Sequence, residues 1–202
     1  MSGVLLYARS RAVPGALAAL AGTAVLAGLA VGAARTGAGA DPDRLSAVVA
    51  LAPLPAVSVL GLSLYAASDE LDRTAVRPWW PRRLAHLLGL TAVAAALLAL
   101  VVLGDGLGFG PSAMLRNVLG CTGVTAAAAA VVGARMSWLP GCGYVGAVCL
   151  ASTGVHGRAV TVWAWPVQPG QVTAAWGAAA VAFLLGTALY AVRGARPEGP
   201  RG

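Results

Sequence analysis

Few residues in this chain are of types that could do chemistry, and they lie far apart. Ser63 follows Gly61 in GLSLY, and His86 begins the next apolar run; together they would be a hydroxyl nucleophile and an imidazole base. One ends an apolar run and the other starts the next, so their pairing reads as chance. Cys121, Cys142 and Cys149 all sit inside apolar runs without a CxxC pair, which points to packing rather than to a disulfide or a metal. GLGFG at 106–110 has glycine spacing but no strand before it, and reads as a turn. There is no GxxxxGK[ST] phosphate loop, so the chain is not itself a conventional ATPase, and no HExxH. No Asp or Glu lies within an apolar run, which weighs against an autonomous proton-coupled carrier. His156 reads as an interfacial residue. No catalytic residue, metal or cofactor is expected, and the chain is not read as an enzyme.

One polar pair does fall within an apolar run, Arg116 with Asn117. Two readings stay open for it. The arginine can extend to water near an interface or pair with Asp105; or Arg116 and Asn117 line a substrate pathway and meet an anionic group. Two other runs are interrupted, one by Pro53 and Pro55 and one by Pro140, Gly141, Gly143 and Gly146. Paired broken helices of this kind can mark a transport site. GLAVG, from Gly28 to Gly32, is a GxxxG motif that suits a contact within a helical bundle. The connector 155–171, VHGRAVTVWAWPVQPGQ, alternates apolar residues with two tryptophans and two prolines, and reads as a segment resting on or re-entering one leaflet.

The elements that would hold these residues are membrane spans. Of 202 residues 58% are apolar and 10% are charged, against about 25% charged in ordinary globular chains. All fourteen basic residues are arginine and lysine is absent, the signature of a GC-rich bacterial genome of the actinobacterial kind. The net charge of +7 would suit nucleic acid in a soluble protein; here the arginines flank apolar runs, and nucleic-acid binding is not expected. Six runs approach the ~20 residues that a span needs: 14–34, 45–67, 84–103, 113–134, 138–155 and 172–192. The first is longer than the apolar core of a cleaved signal. The expected fold is therefore all-α, a polytopic integral membrane protein with six transmembrane helices in a single domain.

Arginine placement orients it. With the N-terminus in the cytoplasm, that side collects Arg9, Arg11, Arg73, Arg77, Arg82, Arg83, Arg135, Arg193, Arg196 and Arg201, and the outer side keeps Arg35, Arg44, Arg116 and Arg158. Both termini are then cytoplasmic, in a bacterial plasma membrane. Trp79, Trp80, Trp138, Trp163, Trp165 and Trp176 all fall near proposed boundaries, as an aromatic belt would.

One stretch exceeds what topology needs. SDELDRTAVRPWWPRR, residues 68–83, holds three acids, four arginines and two tryptophans between two apolar runs. Ser68 can cap a short helix over 68–77, Asp69 and Glu70 suit its positive end, and Asp69 with Arg73 is an i,i+4 pair that Arg77 continues. A positive-inside signal needs only the arginines; Asp69, Glu70 and Asp72 suggest a partner surface. In this layout the chain resembles the membrane permease subunit of a bacterial ABC-type exporter with six spans. That resemblance implies that 68–77 is a coupling helix docking on a separate cytoplasmic ATPase, through Asp69, Glu70, Asp72, Arg73 and Arg77. It also implies a homodimer, an interfacial helix before the first span, and hydrophobic outer elements between the last two spans, where 155–171 stands. The alternative is a non-transporting membrane accessory or immunity protein with some other partner.

Overall fold

The computed structural model describes residues 13–36, 42–65, 80–104, 108–151 and 158–197. Among them the chain is helical, with no strand. The elements are α1 (Val13–Thr36), α2 (Pro42–Leu51), α3 (Pro53–Ser63), α4 (Trp80–Val101), α5 (Pro111–Val131), α6 (Trp138–Ala151), α7 (Arg158–Trp163), a 3-10 turn (Trp165–Val167) and α8 (Thr173–Arg193). Several start earlier than hydropathy alone suggests. Pro42 and Pro111 supply a first-turn φ already set for helix and forgo an N–H that would be orphaned there anyway. α4 runs through Arg82 and Arg83 because a helix end tolerates charge that the centre of a span does not.

Among the described residues, five helical stretches are long and apolar enough to cross a membrane: α1, α2 with α3 taken together from Asp43 to Ser63, α4, α5 and α8. Of the run expected as a further span, 138–155, Trp138–Ala151 form the 14-residue helix α6, about 21 Å long against a hydrocarbon core of about 30 Å, and 152–155 lie outside the described residues. The α2–α3 junction keeps its helical path. Ala52 has helical angles (φ −56°, ψ −34°) and its N–H reaches Val48 O at 2.8 Å, but Pro53 contributes no N–H.

The most extensive packing joins α5 and α8, which run in the same direction. Gly123 and Gly186 meet there main chain to main chain, and a Cβ on either would overlap the other helix. The GxxxG pair of α1 is looser: a Cβ at Gly28 would lie 3.9 Å from Val101 Cγ1, and one at Gly32 would meet nothing within 4 Å.

The bundle has two chemically different ends. At one, Gly194 ends α8 with φ +72° and packs against the Arg83 guanidinium, while Arg196 bonds through its N–H to Ala129 O (2.9 Å) and through Nη1 to Val131 O (3.1 Å). Arg135 lies 4.8 Å over the Tyr65 ring near this end. Arg82, Arg83, Arg135, Arg193 and Arg196 thus gather at what we call the basic end. Arg35 in the last turn of α1 and Arg44 in the first turn of α2 belong to the opposite end, with Pro111 and Thr173.

Candidate functional site

Arg116 and Asn117 lie about a turn and a half inside α5, and both are completely buried, at 0% exposure. The arginine therefore does not extend to water. Its Nε donates to Asn117 Oδ1 (3.1 Å), Nη1 to Pro169 O (2.9 Å) and Nη2 to Gln168 O (2.6 Å). Asn117 Nδ2 donates to Val49 O (3.1 Å) and Pro166 O (2.7 Å).

Val49 O, Pro166 O and Gln168 O lack a helical donor for a local reason, and Pro169 O accepts from Val172 N–H (3.2 Å) as well as from Arg116. In an unbroken helix Val49 O would accept from the N–H four residues on, but that residue is Pro53, which has none. Pro166, Gln168 and Pro169 stand in or just after a 3-10 turn, and the chain beyond is not helical until Thr173. An unsatisfied carbonyl in an apolar interior costs several kcal/mol, so irregular backbone at this depth needs partners from protein. Arg116 and Asn117 are those partners. The node ties the interrupted α2–α3 span to the segment between α6 and α8.

That segment dips into the bundle and returns. Val160 and Ala164 pack on Val148 of α6, and the Tyr144 hydroxyl donates to Trp163 O. Trp165 then buries its ring against Gly120, whose missing side chain makes the room; a Cβ there would stand 2.8 Å from Trp165 Cζ2. Gly120 is nine residues into α5, about 13 Å along its axis. From there the chain climbs back: Gly170 packs on Ser112, its N–H bonds Gly108 O (2.8 Å), and its carbonyl accepts from Trp176 Nε1 (2.9 Å). The expected aromatic belt thus loses one member, because Trp165 is a core residue at 4% exposure; Trp80 and Trp163 remain exposed.

The other candidates fall out as follows. Ser63 and His86 do meet, with Nε2 and Oγ 3.3 Å apart. Ser63 also donates to Leu60 O at 2.7 Å, and its contact with His86 clips α3 to α4. The three cysteines are free thiols, and no group of metal-binding side chains occurs among the described residues. Asp69, Glu70, Asp72, Arg73 and Arg77, the whole of 68–77, lie outside the described residues, as do Asp105, His156 and both termini. Sequence reasoning missed the Thr122 and Thr125 hydroxyls, which are buried on α5 without a hydrogen-bond partner. It also missed the Gly123–Gly186 contact, for which spacing gives no sign because the two glycines are on different helices.

No protein-family model, curated protein or solved structure matches this chain. The fold and site together define a class: a helical bundle with five stretches suited to crossing a membrane, built round a buried arginine–asparagine node.

Proposed function

We propose that the chain is the membrane permease subunit of an ABC-type exporter in a bacterial plasma membrane, working as a homodimer with a separate ATPase. The observation that carries this reading is the meeting of two irregular backbone segments, the α2–α3 junction and 164–172, at depth round Arg116 and Asn117. Interrupted helices that meet inside a bundle are where transport proteins bind and move their cargo. The basic end faces the cytoplasm under the positive-inside rule, with six crossings once α6 is counted. Both termini lie on that side. The resemblance implies hydrophobic elements between the last two spans, and α7 with the 3-10 turn stands there. Residues 68–77 are the coupling connection, and Arg116 and Asn117 line the pathway when the segment over them moves. The tight filling of the node also suits a non-transporting accessory protein, whose 68–77 stretch would bind another partner.

Capture of an ATPase distinguishes the two. Full-length chain purified from its own bacterium in mild detergent is expected to carry a cytoplasmic ATPase. Reversing Asp69, Glu70 and Asp72 together to lysine should cut that capture at least about tenfold, because like-charge contact at an interface costs several kcal/mol. Membrane levels should hold, since exposed ion pairs contribute only about 0–1 kcal/mol to folding. An ATPase absent from the wild-type preparation, or retained by the triple variant, sinks the coupling proposal.

A further inference from the structure

The Arg116 charge exceeds what bracing requires. Asn117 satisfies two stranded carbonyls with a neutral amide, whereas Arg116 does similar work with a full positive charge at 0% exposure. Its hydrogen-bond partners among the described residues are all neutral: one side-chain amide oxygen and two main-chain carbonyls. Desolvating a cation is among the costlier things a fold can do. A guanidinium has five N–H donors, and Arg116 makes three hydrogen bonds to the described residues. The charge also sits near the N-termini of α5 and α8, whose dipoles add positive potential at the same end.

The arrangement of the acceptors is informative. Nη1 and Nη2 each hold one oxygen, from the adjacent residues Pro169 and Gln168. That is the fork on which a guanidinium takes the two oxygens of a carboxylate or phosphate. The geometry points to Arg116 as the binding group for an oxyanion, a carboxylate or phosphate moiety, with the Gln168 and Pro169 carbonyls occupying its place in the closed form. The inference rests on the pathway role assigned to Arg116 and gives it a ligand class and a latch. An entering oxyanion takes the fork, brings a negative charge to the guanidinium, and frees 168–169 from α5. The movement is local: Trp165 in the Gly120 slot and Pro166 O on Asn117 hold the residues before it, Gly170 on Ser112 and Gly108 O holds those after it, and 168–169 meet α5 through the Arg116 fork.

The test uses the full chain with its three cysteines replaced by alanine and a single reporter, Gln168→Cys, which keeps the main-chain carbonyl at 168. Maleimide labelling is followed in nanodiscs of zwitterionic lipid as inorganic phosphate or acetate is added at constant ionic strength with chloride. A second arm replaces the lipid with phosphatidylglycerol and adds neither. The expected result is a saturable rise in labelling rate of about tenfold in one arm, lost in Arg116→Lys, which keeps the charge but not the fork. A rise with free anions assigns the site to a soluble oxyanion; a rise only with anionic lipid assigns it to a headgroup. The Nε–H resonance of Arg116 in the folded chain, which needs no variant at 116, should shift under the same conditions. A rate and a resonance that no oxyanion moves, or a rate that rises equally in Arg116→Lys, overturn the latch. ATPase capture is scored separately, so that result leaves the coupling proposal standing, and failed capture leaves this one standing.

Discussion

Asn117→Leu is expected to destabilise the folded chain by about 4 kcal/mol. The two side chains are similar in volume, so the loss is one of hydrogen bonds. Val49 O and Pro166 O would be left buried without donors, and Arg116 Nε without its acceptor. Each orphaned buried group costs about 1–3 kcal/mol. Reversible unfolding in mixed micelles, followed by tryptophan fluorescence, reads the effect. Ser58→Ala serves as a control, because that hydroxyl only bonds Leu54 O in its own helix; it should cost under about 1 kcal/mol. Pro53→Ala in the Asn117→Leu background should restore part of the loss, since an alanine at that position brings the N–H that Val49 O lacks. A loss under about 1 kcal/mol for Asn117→Leu would mean that the node does not brace the two segments.

Gly186→Ala should be comparably damaging, at about 3 kcal/mol, through overpacking. Its new methyl would fall on the Gly123 main chain, and backbone cannot step aside as a flexible side chain can. Gly177→Ala, on the same helix with nothing within 4 Å of its Cβ, should be neutral or slightly stabilising through helix propensity. Parallel unfolding curves for the two variants check this. Equal stability would show that α5 and α8 do not approach as closely as described.

The all-helical class was legible from composition, because a chain so apolar and so poorly charged can satisfy its backbone in lipid only by helices or a closed barrel. Five of the six expected runs match spanning stretches within a few residues. The second became two helices, as Pro53 and Pro55 foretold. The 138–155 run is helical over Trp138–Ala151, shorter than a full span, and 152–155 lie outside the described residues, so its crossing belongs to the proposal. Trp165 misled: an aromatic near a run end reads as interfacial until Gly120, on another helix, opens a slot for it. For the node, sequence identified Arg116 and Asn117 but not their work. The partners of Arg116 at Gln168 and Pro169 lie 52 and 53 residues away. That Val49 O would be stranded is readable from Pro53; that Asn117 would serve it needs the packed structure.

The orientation underlying the proposal is tested most directly by two single cysteines in the cysteine-free chain, at Gln171 and Pro197, both exposed at opposite ends of α8. Intact cells are treated with a membrane-impermeant maleimide, before and after the membrane is opened. The account predicts that position 171 reacts in intact cells and that 197 reacts only once the cytoplasm is accessible. Labelling of 197 in intact cells, or of both positions from one side, would contradict it.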